Sequence, residues 1–273
     1  MNVFIFGAGK VGVALHRAAR RARLRCTLRA ARAGLPDDLS GYELVIVAVR
    51  DGGIAAVAAE LAARRLLSRS AVVVHVAGAQ SAEALAAARG ACAGVAQLHP
   101  MIAFADLAFA PSLQGGHAHV QGDPAAVKVA RRFAAAVGLR PRTFPALDPV
   151  LYHAAAGLVA NGAAALAAAG TEVLERAGVP REKAPLLLGP LLCSVAENVE
   201  ALGLPGALTG PVRRGDAAAV DRHLTMLARL GPHLAGLYAA MADAQLPLAR
   251  ALGDAPAAAF DAVADVVGRH ARG

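Results

Sequence analysis

Short apolar runs alternate with stretches of helical periodicity over the first half of the chain. Runs such as VFIF (3–6), LVIVAV (44–49) and AVVVHV (71–76) are typical of buried strands. Further strands are predicted at 25–28, 94–98, 117–122 and 142–144, and helices at 10–23, 54–67, 82–88 and 123–137. This order predicts an α/β fold with a doubly wound, mostly parallel sheet.

The pattern changes after Asp148-Pro149, and no further strand is predicted. Helical periodicity continues to the end of the chain, in the segments 150–177, 183–202, 217–246 (broken near Gly231-Pro232) and 257–269. We therefore expect a sheet domain over 1–148 and an all-helical domain over 149–273. The helices are rich in alanine, whose small side chain permits close helix contact, and this favours a homodimer formed through the helical domain.

A glycine-rich turn directly follows the first strand and opens a helix. Gly7, Gly9 and Gly12 occupy the G-x-G-x-x-G positions, which in this context are typical of a Rossmann dinucleotide-binding domain. The predicted cofactor loop comprises Gly7, Ala8, Gly9, Lys10, Val11 and Gly12. The N-terminus of the helix would attract the pyrophosphate. The alternative is a glycine-rich turn without a ligand.

The segment after the second strand bears on which cofactor binds. An acidic residue there would hold the ribose 2′-hydroxyl of NAD, but RCTLRAARAG (25–34) contains none. Arg29 and Arg32 lie there instead. Because guanidinium groups pair well with phosphate, we predict NADP(H). The alternative is that both arginines are simply solvated.

Further candidates follow the later strands, since ligands bind at the carboxyl edge of such sheets. Val49, Arg50 and Gly78 are predicted to contact the cofactor, and His99 to face the nicotinamide or the substrate. His75 lies within its strand, which favours core packing. His117 and His119 form an H-x-H pair, but no third ligand is evident, so no metal site is predicted.

Polar residues interrupt the first long helix of the second half. His153, Gly157 and Asn161 are four residues apart and share a face. His153 and Asn161 are therefore predicted to protonate and orient a reduced carbonyl or imine. The alternative is a histidine at the helix N-terminus and a buried, hydrogen-bonded asparagine.

The segment ALTGPVRRGD (207–216) is a second polar interruption. Asp216 suits the N-cap of the next helix. Arg214 first, then Arg213, with Thr209, are predicted to hold a substrate carboxylate, and Asp216 is grouped with them as a substrate-site residue.

Composition limits the remaining classes. The net charge is +8, but aromatic residues make up only 4% and the arginines are scattered, which argues against nucleic-acid binding. The charge suits a phosphate-rich cofactor and a small anionic substrate. The three cysteines are far apart, so neither disulfides nor structural zinc are expected. No membrane span or signal sequence is predicted, which indicates a soluble, cytoplasmic protein.

Taken together, these motifs resemble a known family of Rossmann-like oxidoreductases, whose helical C-terminal half is called domain of unknown function 2520. The motifs that carry the resemblance are GAGKVG, VAVRDGGI (47–54), HVAGAQSAEAL (75–85), LHPMIAFAD (98–106), YHAAAGLVAN (152–161) and LTGPVRRGD (208–216). The family is similar in architecture to pyrroline-5-carboxylate reductase, 6-phosphogluconate dehydrogenase and ketopantoate reductase.

The resemblance implies NADPH, a 2-oxo acid substrate and dimerisation through the helical domain. We therefore expect reduction of ketopantoate to pantoate. The alternatives are an imine reductase acting on a pyrroline-5-carboxylate type of substrate, or a non-catalytic NADP-binding sensor. One departure is that better-known relatives place a lysine four residues before the asparagine, where this chain has Gly157. His153 or His99 would then have to supply the proton.

Overall fold

The computed structural model describes residues 1–271. Seven strands are present at the predicted places, except that the last lies slightly earlier in the chain than predicted. The strands are β1 Asn2–Phe6, β2 Arg25–Arg29, β3 Leu44–Val47, β4 Val72–His75, β5 Gly94–Pro100, β6 His117–Gly122 and β7 Arg140–Arg142. The prediction of an α/β fold with a Rossmann-type sheet is confirmed.

All seven strands form one sheet, in the order β2-β1-β3-β4-β5-β6-β7. The pairs are parallel except β5 with β6, which is antiparallel. The chain turns to one side of β1 to make β2 and crosses to the other side to make β3. This reversal places a topological switch point at the carboxyl ends of β1 and β3, which is where such sheets bind ligands.

Helices cover both faces of the sheet. They are α1 Lys10–Arg21, α2 Ile54–Ala63, α3 Pro124–Ala136 and a 3₁₀ helix over Ala82–Ala91, where the sequence predicted a short helix over 82–88. One core contains Val3, Ile5 and Phe133. The other contains Phe4, Val45 and residues of α2 and the 3₁₀ helix. The two cores follow the alternation of side chains along each strand.

The rest of the chain is helical, as predicted, with the expected break at Gly231. The helices are α4 Pro149–Arg176, α5 Ala184–Leu202, α6 Ala217–Leu230, α7 Pro232–Leu252 and α8 Ala257–Ala271. Helices α6, α7 and α8 share an apolar core that includes Leu224, Leu246 and Phe260.

Packing divides the chain into one compact unit over Met1–Ala160 and a second from Asn161 onward. The division falls inside α4. The sequence-based boundary at 148/149 lies at the start of that helix and stays a prediction. The first turns of α4 therefore pack as part of the sheet unit.

Helices α4 and α5 expose large apolar side chains. Leu158 is 80% exposed on α4, and Leu186 is 67% exposed on α5. Two helical segments, Pro149–Arg176 and Arg181–Leu202, are long and apolar enough to cross a membrane by length and composition alone. The sequence reading predicted no such segment, because alanine and glycine interrupt the leucines. The exposed leucines nevertheless form surfaces that residues 1–271 leave uncovered.

Candidate functional site

The turn between β1 and α1 needs glycine at two positions for the fold itself. Gly7 has φ +120°, a conformation that L side chains rarely adopt. A Cβ at Gly7 would overlap the carbonyl group of Ala48. A Cβ at Gly12 would overlap the carbonyl of Gly7. The two glycines therefore allow β1, β3 and α1 to approach each other closely.

Gly9 is different, because the fold does not require a glycine there. Its backbone is extended, with φ −78° and ψ −176°, and a Cβ would meet nothing within 4 Å. The residue is exposed and is the N-cap of α1, without a side-chain cap. Lys10 is also exposed. The N-terminus of α1 thus has open space beside Gly9, and first-turn N–H groups in such turns bind pyrophosphate.

The two arginines after β2 differ in their surroundings. Arg29 donates from Nε to the Gly34 carbonyl at 2.7 Å and from Nη2 to the Ala33 carbonyl at 2.8 Å. Its guanidinium therefore braces the loop after β2. Arg32 is exposed and makes no hydrogen bond or ion pair within residues 1–271. Of the two, Arg32 has the guanidinium better available for a 2′-phosphate.

The turns after β3 and β4 meet at the same edge of the sheet. Val49 and the exposed Arg50 precede a short 3₁₀ turn over Asp51–Gly53. Gln80, in the turn after β4, donates from Nε2 to the Asp51 carbonyl at 3.2 Å. Because β3 and β4 are parallel neighbours, this bond holds the two predicted cofactor-contacting turns together.

Gly78 is the point at which two of the predicted catalytic residues meet. A Cβ on Gly78 would overlap Nδ1 of His153 and would lie 2.8 Å from Cε1 of His99. The His99 and His153 rings are edge to face, with centroids 5.6 Å apart. Only a residue without a side chain lets both imidazoles occupy this place. His153 reaches it from the first turn of α4, and His99 from the end of β5.

The hydrogen bond of the His99 ring shows which tautomer its neutral form adopts. Nδ1 lies 3.1 Å from the Val76 carbonyl oxygen, which can only accept, so Nδ1 carries the hydrogen and Nε2 keeps a lone pair. Burial lowers the pKa of His99, against a weaker opposing effect of the Val76 carbonyl. His99 is therefore a neutral imidazole near pH 7. His153 is exposed and has no hydrogen bond to any residue in the described chain.

A row of polar side chains, three of them buried, lies beneath this edge. His75, Gln97 and Gln121 are register partners on β4, β5 and β6, and His99 and His119 are partners one row further on. His75 and Gln97 are 0% and 1% exposed. His75 is buried as expected, but its ring bonds to the turn after β4 at Ala77 N and Ser81 O. Burial lowers its pKa.

Sequence reasoning did not select Gln97 or Tyr152. The available signal for Gln97 was an amide within the apolar run GVAQL, which a buried strand tolerates only if the amide is hydrogen-bonded. Tyr152 is half-buried, and its ring lies 5.9 Å from that of His99 and 5.6 Å from that of His119. The tyrosine thus closes one side of the histidine site.

The H-x-H pair divides between surface and interior. His117 is exposed, whereas His119 is buried and stacks on Phe144, with ring centroids 6.0 Å apart. Burial lowers the pKa of His119, and its Nδ1 has no hydrogen-bond partner in the described residues. Within residues 1–271 no three His, Cys, Asp or Glu side chains are grouped to hold a metal.

The structure separates the four predicted substrate-site residues of ALTGPVRRGD into two kinds. Arg213 pairs with Asp254 at 2.6 Å and donates to the Leu208 carbonyl at 2.7 Å, so it braces its own loop. Asp216 caps α6 by accepting from Ala219 N at 2.9 Å. Thr209 and Arg214 are exposed and make no such bond in the described part of the chain. Of the two arginines, Arg214 therefore has the guanidinium that is available to bind a ligand. Asn161, on α4, is also exposed.

The sheet order, the glycine turn and the helical C-terminal region together define a Rossmann-type fold followed by a helical region. Residues 117–245 match the family model described as Domain of unknown function (DUF2520). The match starts in β6, inside the sheet, rather than at the first long helix. A comparison with curated proteins gave no match.

Solved structures support the same fold. A Bacteroides fragilis protein assigned as an NADP oxidoreductase is 19% identical, with TM-score 0.70, covering 89% of this chain and 97% of its own. Protein TM1727 from Thermotoga maritima is 23% identical, with TM-score 0.66 and coverages of 92% and 99%. Pyrroline carboxylate reductase from Plasmodium falciparum, solved with NADP bound, is 12% identical, with TM-score 0.61 and coverages of 100% and 97%. At these identities the likeness establishes the fold.

Serine substitutions should separate the two kinds of glycine. We expect Gly9→Ser to leave the thermal unfolding midpoint unchanged or slightly raised, since serine is a good N-cap, and to raise the dissociation constant for NADPH by about tenfold or more. Gly12→Ser should destabilise the fold by about 1–3 kcal/mol, because its side chain overlaps backbone. Thermal unfolding and fluorescence titration with NADPH measure both effects. Equal loss of stability in the two variants would contradict this assignment.

The buried histidines should make folding stability depend on pH. Burial lowers the pKa of His75, His99 and His119, so below about pH 6.5 the unfolded chain binds protons that the folded chain does not. Stability should be full above that pH and fall below it, by about 1.4 kcal/mol per pH unit for each such histidine.

Urea unfolding between pH 7 and 5 measures this slope. His119→Phe keeps an aromatic ring beside Phe144 and removes one titrating group. Its slope should be smaller by about one third if the three histidines contribute equally. An unchanged slope would show that His119 does not contribute.

Proposed function

We propose that this chain is an NADPH-dependent reductase of a small 2-oxo acid, with ketopantoate as the first candidate substrate and pantoate as its product. The observation that carries the proposal is the meeting of His99 and His153 at Gly78. This pair lies on the carboxyl edge of the sheet, where the open glycine turn also lies. Titratable groups beside a dinucleotide site are what carbonyl reduction needs.

The cofactor site would be formed by the turns after β1, β2, β3 and β4. Gly9 and the N-terminus of α1 would hold the pyrophosphate, and Arg32 the 2′-phosphate. Val49, Arg50 and Gly78 would border the rest of the dinucleotide. When bound, NADPH supplies the hydride. The NADP in the Plasmodium falciparum structure supports this choice, and NADPH binding at least tenfold tighter than NADH binding is the expected result of titration.

His153 is the better candidate for the proton donor. The hydrogen on Nδ1 of neutral His99 is already donated to the Val76 carbonyl, and burial keeps that ring neutral. The ring nitrogens of the exposed His153 are free of such bonds within residues 1–271. His153 would therefore give a proton to the oxygen of the substrate carbonyl, and His99 would accept a hydrogen bond at Nε2.

Substrate orientation is assigned to residues beyond the first turns of α4. Asn161 would orient the developing alkoxide through its amide N–H. Arg214, with Thr209, would hold the carboxylate, since a guanidinium binds carboxylates in a bidentate manner. Arg213 and Asp216 would support this loop by their bonds to Asp254 and to the N-terminus of α6.

A second candidate is an imine reductase acting on a cyclic imino acid. The similarity to pyrroline carboxylate reductase favours it, and the same histidines could serve an imine nitrogen. A third candidate, from a different class, is a non-catalytic NADP-binding sensor. The absence of the lysine found in better-known reductases favours it, because Gly157 provides no proton donor.

Turnover assays separate the three candidates. The purified chain should oxidise NADPH in the presence of ketopantoate, and His153→Asn should lower kcat by about 10²-fold without loss of NADPH binding. Turnover with pyrroline-5-carboxylate alone would support the imine reductase. NADPH binding by the folded protein without turnover on either substrate would support the sensor.

Substitution of Arg214 tests the carboxylate assignment. Arg214→Ala should raise the KM for the acid by about tenfold, since an ion pair to the carboxylate is lost, and should leave NADPH affinity unchanged. Arg213→Ala is the matched control and should lower stability instead, because it breaks the bond to Asp254. If Arg214→Ala weakens NADPH binding, the loop contacts the cofactor rather than the substrate.

We further propose a soluble, cytoplasmic homodimer, in which a second copy of the chain covers the apolar helices. The helical unit presents an exposed apolar helix, α5, and an apolar groove of ≈ 550 Å³ whose lining includes Leu166, Val173, Leu188, Met226, Leu237 and Met241. One chain thus carries both a helix that needs cover and a groove that could receive one, as a two-fold symmetric interface requires.

Light scattering should therefore give twice the chain mass of 27.5 kDa without detergent. Leu191→Asp, on the exposed side of α5, should lower that mass, because it places a carboxylate in the interface. Lys128→Asp, on α3 in the sheet unit, also changes charge and should leave the measured mass unchanged. A monomeric peak for the unaltered chain, or a requirement for detergent, would refute the dimer.

A further inference from the structure

Two buried polar side chains are not used by the proposed reaction. His75 ends β4, and Gln97 is its register partner on β5. Both are almost completely buried, at 0% and 1% exposure. Polar groups in such positions persist when their hydrogen bonds define a particular backbone arrangement.

All the hydrogen bonds of these two side chains go to the turn after β4. Gln97 donates from Nε2 to the carbonyls of Ala77, at 2.9 Å, and Gly78, at 3.3 Å. His75 accepts at Nδ1 from the Ala77 N–H, at 3.2 Å, and lies 2.8 Å from the Ser81 carbonyl through Nε2. Since that carbonyl only accepts, Nε2 carries the hydrogen.

The same turn controls both catalytic histidines. The Val76 carbonyl accepts a hydrogen bond from Nδ1 of His99 and so selects the tautomer with hydrogen on Nδ1. Gly78 provides the gap that His99 and His153 share. A shift of this turn would remove the acceptor from His99 and close the gap. The backbone from Ala77 to Ser81 is therefore the link between the buried pair and the histidines.

We propose that His75 and Gln97 are positioning residues, which fix the turn after β4 so that His99 is held as its Nδ1–H form beside His153. The effect on turnover rests on the proposed function, whereas the effect on His99 does not. His75 and Gln97 act through the backbone and touch neither substrate nor cofactor.

Nitrogen NMR of histidine-labelled protein tests the link directly. In the unaltered chain the ring nitrogens of His99, assigned with His99→Asn, should show hydrogen on Nδ1. Gln97→Met has nearly the same shape but donates no hydrogen bond, and it should convert this signal into a mixture of the two neutral forms. Val95→Ala, on the same strand and face, removes buried packing but no hydrogen bond to the turn. It should lower stability and leave the His99 signal unchanged.

Two variants at His75 remove its hydrogen bonds to the turn in steps, and the milder one should keep part of the effect on His99. His75→Asn can still accept from the Ala77 N–H, because asparagine Oδ1 occupies the place of Nδ1, but it cannot reach Ser81. His75→Leu keeps neither bond. The Nδ1–H population of His99 should therefore fall in the order unaltered chain, His75→Asn, His75→Leu. This series also replaces Gln97→Met if that variant fails to fold.

Kinetics with whichever substrate turns over give the second readout. Gln97→Met should lower kcat by about 10²-fold, as misplaced catalytic groups do, while the KM values for NADPH and substrate change by less than about threefold. An unchanged His99 signal in folded Gln97→Met or His75→Leu would overturn the proposal, whatever the substrate. A His99 signal that shifts in these variants, in a protein without turnover, would uphold the positioning and reject the reductase.

Discussion

The carboxyl edge of this sheet depends on the requirement that buried polar groups be hydrogen-bonded. On one face, apolar side chains such as Phe6 and Val47 continue across the strands into His75 and Gln97, which cannot be buried without partners. In residues 1–271, all the hydrogen bonds of these two side chains go to the backbone of the following turn. The interior of the sheet thus contributes four hydrogen bonds to the turn after β4, while the sequence of the turn contributes Gly78.

The glycine turn after β1 works by the opposite principle. There the backbone approaches so closely at Gly7 and Gly12 that no side chain fits, whereas at Gly9 the space is open. At this edge of the sheet, the turn after β1 has no room for side chains at two positions, and the turn after β4 is hydrogen-bonded by buried side chains. Together they leave open space at the N-terminus of α1 and bring two imidazoles close together, of which His99 has a defined hydrogen bond.

The sequence predicted the strands, the helices and the glycine turn, because these follow from local periodicity and from turn residues. It also selected His99 and His153 separately, but their convergence on Gly78 depends on packing between β5, α4 and the turn after β4. Arg29 and Arg213 make contacts that local periodicity does not predict. Both stay predicted ligand-binding residues, and in the folded chain both bond to loop carbonyls. Those carbonyls become available only when the loops fold, so no spacing rule could identify them.

The contrast between Gly9 and Gly12 has a consequence for how such chains diverge. A descendant that no longer bound the proposed nucleotide could accept a side chain at Gly9, since neither backbone conformation nor packing opposes it. Replacement of Gly12 would still damage the fold. Substitution at Gly9 with Gly12 retained would therefore mark a lineage that kept the fold and lost the proposed nucleotide site. Gly9 would be the first glycine of the turn to change, because the fold does not require it.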